Sequence, residues 1–169
     1  MIDSLLAFLN NLLGSSNFGK CAITFFVAML PVVELRGSIP IGVGMLGLPL
    51  HISALVSFLG NMLPIPFVIL FTRKVFAWMR RKNQRLANMA DKMESSTKSK
   101  GINLYRGELI GLMVFVAIPL PGTGAWTGAM IAALLDIRLK AALPAIAAGV
   151  FIAGILISGI TYGFASFFS

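Results

Sequence analysis

Pro31-Val-Val-Glu-Leu-Arg-Gly-Ser-Ile-Pro-Ile-Gly-Val-Gly44 places a carboxylate, Glu34, and a guanidinium, Arg36, inside an apolar run, with Pro31 and Pro40 flanking them and glycines after. Charge in such a run is costly if the segment lies in a membrane: insertion scales put it at about 2.5–3.5 kcal/mol at a helix centre. An intramembrane ionisable pair is therefore read first as a functional site, and a short extramembrane turn is the plain alternative. The arms on either side, residues 21–33 and 38–50, have 13 residues each. As helix each reaches about 20 Å, short of a hydrocarbon core of about 30 Å. A re-entrant hairpin with Glu34, Arg36 and Gly37 at its tip fits those lengths, provided its irregular backbone is buried in protein or faces a watery cavity.

The rest of the chain supports a membrane setting. Of 169 residues, 57% are hydrophobic and 12% charged, the composition of a polytopic membrane protein. The net charge of +8 is concentrated: ten of fourteen Lys and Arg lie in residues 73–106. That pattern marks a cytoplasmic loop by the positive-inside rule and attracts anionic headgroups; it does not call for nucleic acid. The acid at Asp3 stands where a signal peptide needs a basic region, so no cleaved leader is expected. One cysteine, Cys21, permits no internal disulfide and is expected to be buried.

Working outward, residues 2–13 carry apolar positions at helical spacing opposite Asp3, Ser4, Asn10 and Asn11, which predicts a short interfacial helix. Residues 52–72 make a first full span, with a kink expected from Gly60-Asn61 and Pro64-Ile-Pro66. Asn61 is expected to hydrogen-bond a neighbouring helix, or else to face a cavity. Residues 75–93 read as a basic amphipathic surface helix behind Trp78, and 95–101 as a flexible link. The second half echoes the first in order: Phe26-Val-Ala-Met-Leu-Pro31 against Phe115-Val-Ala-Ile-Pro119, with 34–44 opposite 122–132. Short arms at 109–120 and 125–135 flank a Pro121-Gly-Thr-Gly124 break, and a long span, 141–168, follows with small residues at helix-packing spacing. Asp136-Ile-Arg138 reads as a solvated turn and cap, and His51 as incidental.

One crossing per half would invert the halves and leave both termini outside, with twelve of fourteen basic residues in the cytoplasm. Three short crossings per half would give the same sidedness. The expected fold is thus an all-α integral membrane protein, an inverted repeat of two units, each a re-entrant helical hairpin plus a transmembrane helix, with amphipathic interfacial helices. It is a single membrane domain over 1–169: interfacial helix 1–17, repeat 18–72, basic cytoplasmic helix and linker 73–106, and repeat 107–169. Many secondary transporters share that layout and bind substrate and ions at the repeat interface.

Pro31-Val-Val-Glu-Leu-Arg-Gly-Ser-Ile-Pro40 and Pro119-Leu-Pro-Gly-Thr-Gly-Ala-Trp-Thr-Gly128 together resemble the paired signatures of the small multidrug export proteins, over nearly the whole chain. That family is similar in turn to the DedA, or VTT, superfamily (SNARE-associated Golgi proteins). The likeness implies two facing re-entrant loops and movement of lipids such as undecaprenyl phosphate, often linked to the proton gradient. Glu34 matches the acidic position of the DedA first hairpin, and Pro121-Gly122 the Pro-Gly of the second. Thr123, Ala125 and Trp126 stand where DedA second hairpins carry arginines, and Arg36 is the cation available to replace them.

The transport and proton residues expected are Glu34 and Arg36. The substrate cavity is expected to draw on Pro31, Gly37, Pro40, Asn61, Pro121, Gly122, Thr123, Gly124, Trp126 and Thr127. Helix arms ending at Gly37 and Gly122-Gly124 would aim backbone N–H groups at an anionic headgroup; the same glycines can serve only to permit the turns. A permanent Glu34–Arg36 bridge orienting the hairpin is the structural alternative to a proton site, though neighbours spaced by two on a helix do not face each other. No cofactor or metal is expected. The expected partners are membrane lipids, a polyprenyl phosphate or other amphipathic substrate, protons and optionally a second copy, in the bacterial inner membrane.

Three function classes follow. A proton-linked transporter or lipid translocator leads, with small amphipathic-drug export as its alternative: a cationic drug needs Glu34, an anionic lipid Arg36. A membrane enzyme lacks its usual parts, with one His and no nucleophile beside an evident base. A non-transporting membrane-integrity factor is the third.

Overall fold

The computed structural model describes residues 16–82, 101–120 and 122–167, and all their regular elements are helical. The expected interfacial helix at 2–13, most of the surface helix and link at 83–100, and Pro121 lie outside the described residues. The chain divides into two compact units, residues 1–63 with 151–169, and residues 64–150.

In the first unit, α1 spans Asn17–Met29, opened by Ser16, whose Oγ accepts from the Gly19 N–H at 3.2 Å. That is ordinary N-capping by serine. The helix stops because Pro31 excludes helical geometry at the residue before it: Leu30 has φ −70° and ψ 132°. A tight turn over residues 31–33 follows, closed by the Glu34 N–H donating to the Leu30 carbonyl at 2.9 Å. α2 then runs Glu34–Pro40. The break therefore precedes the charged residues. The sequence reading placed it at Glu34–Gly37, but Gly37 lies inside α2 with its N–H bonded to the Val33 carbonyl at 3.0 Å. Its N–H is not aimed at a ligand.

Pro40 has no N–H to continue the ladder, and the helix loosens into a π-helical turn, Ile41–Met45. Gly47, at φ +65°, ends it, with the Leu48 N–H reaching back to the Gly42 carbonyl at 2.8 Å. α3, Leu50–Met62, starts at Pro49. Short connections of this kind set neighbouring helices antiparallel, so α2 runs back along α1 and α3 runs forward again. Close approaches fix the packing. A Cβ on Gly60 would sit 2.3 Å from the Phe25 carbonyl oxygen of α1, and one on Gly42 would sit 2.2 Å from Ser53 Oγ. The last helix, α7 (Leu139–Phe167), contributes residues 151–167 to this unit. There Phe151 meets Phe58 edge to face, and Gly154 lies against Leu35.

The second unit holds α4 (Ile65–Lys82), α5 (Gly101–Ala117), α6 (Ala125–Leu134) and residues 139–150 of α7. Leu63-Pro64 interrupts the helix between α3 and α4, where a kink was expected. α6 packs on α4 and α5 through a face of small residues, Ala125, Gly128, Ala129, Ala132 and Ala133, which lets helices approach closely. Val116 fills the space that side chains on Gly128 and Gly149 would occupy, at 2.5 Å and 2.8 Å.

α6 ends in a Schellman motif: the Ile137 N–H bonds the Ala132 carbonyl and the Asp136 N–H bonds that of Ala133. Asp136 takes the left-handed position at φ +52°. Arg73 of α4 holds this end, donating from Nη2 to the Ile137 carbonyl and pairing with Asp136 at 3.6 Å. Asp136 is thus the solvated turn and cap read from the sequence, tied in addition to α4.

Two stretches are long and apolar enough to cross a membrane, Leu50–Trp78 and Leu139–Gly163; Asn17–Met29, Gly107–Ala117 and Ala125–Leu134 are shorter apolar helices. Large apolar side chains such as Phe26, Leu55, Phe67, Phe71 and Ile155 are exposed. A surface so clad suits lipid rather than water.

Candidate functional site

The interior is polar where the exterior is not. All six buried polar or charged residues among the described ones, Thr24, Glu34, Ser38, Ser53, Ser57 and Asn61, belong to the first unit. Glu34 and Ser38 are one turn apart on α2, and Ser53, Ser57 and Asn61 follow at four-residue steps along α3. Residues spaced by four share one helix face, so each helix presents a polar stripe. Since α2 packs on both α1 and α3, the stripes form a buried seam inside an apolar bundle.

One end of the seam is closed by hydrogen bonds. Ser53 Oγ donates to the Ile39 carbonyl at 3.1 Å, and Thr24 Oγ1 donates to the Lys20 carbonyl at 2.9 Å. The middle is not closed in this way: Ser38 Oγ, Ser57 Oγ and both Asn61 amide atoms are buried with no hydrogen-bond partner. Leaving such a group unsatisfied costs about 1–3 kcal/mol. Asn61 was expected to bond a neighbouring helix, and it makes no such bond.

Glu34 is 4% exposed and adopts φ +51°. Left-handed backbone costs a non-glycine residue about 1–2 kcal/mol, and strain of that kind clusters at functional sites. Its carboxylate acts electrostatically on Arg36, which is half-buried two residues along α2. Gly37 is packed against Val33, while Pro31 and Pro40 are exposed at the two ends of the turn and helix. Cys21 is half-buried and free.

The second unit holds the remaining candidates. Gly122 is an exposed left-handed turn residue at φ +87°. Thr123 Oγ1 donates to the Ile118 and Leu120 carbonyls, at 2.7 and 2.9 Å, closing the end of α5. Its hydroxyl thus has a structural task. Gly124 is the buried N-cap of α6, and Trp126 and Thr127 are half-buried in its first turn. The residues that the sequence reading missed are Thr24, Ser38, Ser53 and Ser57. The last two were legible, because Ser53, Ser57 and Asn61 recur at four-residue intervals; Ser38 and Thr24 carry no such signal.

Another face of α3 and residues 151–158 of α7 form an open apolar groove of about 460 Å3, lined chiefly by the exposed Leu55, Phe151 and Ile155 and by Phe58, with His51 and Ser158 as its polar groups. Among the described residues no group of three or more His, Cys, Asp or Glu is placed to hold a metal ion.

No curated protein and no solved structure matches the chain significantly. Residues 34–156 match the family described as "Putative small multi-drug export protein", a membrane exporter family and not an enzyme family. The match begins at Glu34 and covers the polar stripes of α2 and α3, both candidate spans through Leu156, and the Pro-Gly turn. With well over half of its length matched, this integral membrane protein belongs to the small multidrug export protein family.

Proposed function

We propose that the protein exports small amphipathic molecules, cations foremost, by secondary transport, and that Glu34 is where proton and substrate exchange. The observation that carries this is the buried, backbone-strained carboxylate of Glu34 on a polar seam within apolar helices. An ionised carboxylate at hydrocarbon depth is costly unless neutralised. Arg36 beside it offsets part of that cost; a proton and a cationic substrate compete for the same carboxylate, which cannot hold both charges at once. Competition of that kind converts a proton gradient into export. The open apolar groove on α3 has a volume suited to the hydrophobic body of such a substrate.

In this reading α1 and the α2–π segment form a re-entrant hairpin. Their 13 and 12 residues give about 20 Å of helix each, against about 30 Å of hydrocarbon. Tight turns and a π-segment at that depth are supported where protein buries them.

The test is efflux of a fluorescent lipophilic cation from proteoliposomes under an imposed pH gradient. Wild type should export in the gradient, and Glu34→Gln should remain folded by circular dichroism and gel filtration while export is lost. Gradient-independent leakage in wild type, or wild-type flux in Glu34→Gln, overturns the reading.

Half-buried Arg36 beside Glu34 supports a second reading, translocation of an anionic lipid as the DedA likeness implies. A polyprenyl phosphate that co-purifies with wild type but not with Arg36→Ala, seen by native mass spectrometry, would favour it.

A further inference from the structure

Phe67, Phe71, Lys74 and Trp78 follow one another along α4 at steps of four, three and four residues, the spacing of a single helix face. All four are exposed, whereas Ile65 and Ile69 on the other side of α4 are fully buried. The stripe is graded. Two phenylalanines come first, then an ammonium, then an indole at the residue where the apolar stretch Leu50–Trp78 ends. An interfacial tryptophan sits at headgroup level, and a lysine one turn deeper extends its head toward the same level. From Phe67 to Lys74 the stripe runs about 10 Å along the helix axis, which fits inside one leaflet, half of a hydrocarbon core of about 30 Å.

Further cations stand at that level. Arg73, beside Lys74, donates to the Ile137 carbonyl and pairs with Asp136, so it ties the α6–α7 turn to this end of α4. Arg138 follows at once, and Lys140 is the second residue of α7, at the start of the apolar stretch Leu139–Gly163. Lys74, Arg138 and Lys140 are exposed and form no salt bridge with a described residue. The first turn of α7 holds no acid, so its dipole adds to the positive field. The described side chains of the second unit carry four cations against two acids, Asp136, which Arg73 already engages, and half-buried Glu108.

We propose that this face of α4 binds one anionic phospholipid, its acyl chains along Phe67 and Phe71 and its phosphate at Lys74, with Arg138 and Lys140 supplying the surrounding charge. The grading selects the occupant. A zwitterionic lipid brings no net charge to meet the surplus, and a soluble anion makes no use of the phenylalanines. A second copy docked face to face would bring like charges together. The site uses neither Glu34 nor Arg36 and is read at equilibrium, without gradient or flux, so it stands or falls apart from the export reading.

Trp126→Phe leaves Trp78 as the sole tryptophan, a reporter on the stripe itself. The full-length protein carrying that change is reconstituted in vesicles of phosphatidylglycerol and phosphatidylcholine, with bromine on the acyl chains of one lipid at a time, and quenching of Trp78 gives the relative affinity of the two lipids. Phosphatidylglycerol should be preferred, and the preference should fall about fivefold in Lys74→Gln, the scale of one cation near an anionic surface. It should fall further when Arg138→Gln and Lys140→Gln are added, weaken with salt, and survive in Lys74→Arg. The matched control Arg85→Gln/Lys92→Gln/Lys98→Gln removes three charges from the stretch after α4 and should keep it.

Equal quenching by the two lipids overturns the proposal, as does quenching by neither, the result expected if a second copy covers the stripe. So does a preference that survives the loss of Lys74, Arg138 and Lys140, or one lost equally in the matched control, which would show diffuse charge and no site. Displacement of the brominated phosphatidylglycerol by free glycerol 3-phosphate would overturn it too, by showing a site for the anion alone. Should Trp126→Phe fail to fold, native mass spectrometry decides the same question: phosphatidylglycerol retained by wild type and lost in Lys74→Gln supports the site, and equal retention refutes it.

Discussion

Gly60→Ala is the substitution whose effect the packing defines most sharply. The new Cβ would lie 2.3 Å from the Phe25 carbonyl oxygen and 3.1 Å from Ala28 Cβ, whereas ordinary contact begins at 3.4 Å. Relief requires a separation of about 1.1 Å between α1 and α3, the difference between those two distances, 3.4 and 2.3 Å. The obstacle is helical backbone, which cannot rotate away as a side chain can. A gap of about 0.5–1 Å forfeits a quarter to a half of each atom pair's attraction of about 0.1–0.2 kcal/mol. Over the dozens of pairs along two packed helices that amounts to about 2 kcal/mol, within the range of about 1–3 kcal/mol for overpacked cores. The gain in helix propensity from glycine to alanine, about 1 kcal/mol at most, offsets only part of it. For a chain of this size the net loss lowers Tm by about 2–8 °C. The native thiol supplies the assay. Cys21, the sole cysteine, lies on α1 and is half-buried, so a thiol-reactive fluorophore reports when α1 comes loose on heating. Gly159→Ala, where a Cβ meets nothing within 4 Å, is the matched control and should leave Tm unchanged or raised. Equal melting of Gly60→Ala and wild type would refute the packing assigned to α1 and α3.

Other substitutions separate strain from function. Glu34→Gly removes both the carboxylate and the left-handed strain at φ +51°; it should fold with equal or higher stability, by about 1 kcal/mol, yet export nothing. A folded Glu34→Gly protein with full transport would remove Glu34 from the mechanism. Asp136→Gly relieves the same kind of strain at φ +52° and loses a pair whose aspartate is 63% exposed, worth about 0–1 kcal/mol. Its Tm should therefore stay within about 4 °C of wild type, and a larger drop would show that the pair with Arg73 carries more than a surface ion pair does. Arg73→Ala, which also loses the bond to the Ile137 carbonyl, should melt lower than Asp136→Gly in the same thermal scan.

The membrane class, the short arms and the long spans were legible because each follows from local chemistry: runs of apolar residues, and prolines that deny helix to the residue before them. The helix interruption at Leu63-Pro64 and the break before Ala125 were found where expected for that reason. Glu34 stood out for its charge alone. The place of the first break was misread because charge and glycine drew attention to 34–37, while the residue that stops α1 is Pro31 acting on Leu30. Gly37 was taken for a turn residue and lies instead within α2, where a Cβ would collide with the Val33 side chain one turn back.

Charge and hydropathy, summed along the chain, thus determine that this protein is helical, membrane-borne and marked at Glu34, because those properties belong to residues whatever their neighbours. Whether Ser38, Ser57 and Asn61 face lipid, a helix or one another depends on how each helix is rotated about its axis. That rotation is set by contacts between residues far apart in sequence, Gly42 on Ser53 and Gly60 on Phe25. Only the tertiary structure brings the hydroxyls of α2 and α3 into one buried seam.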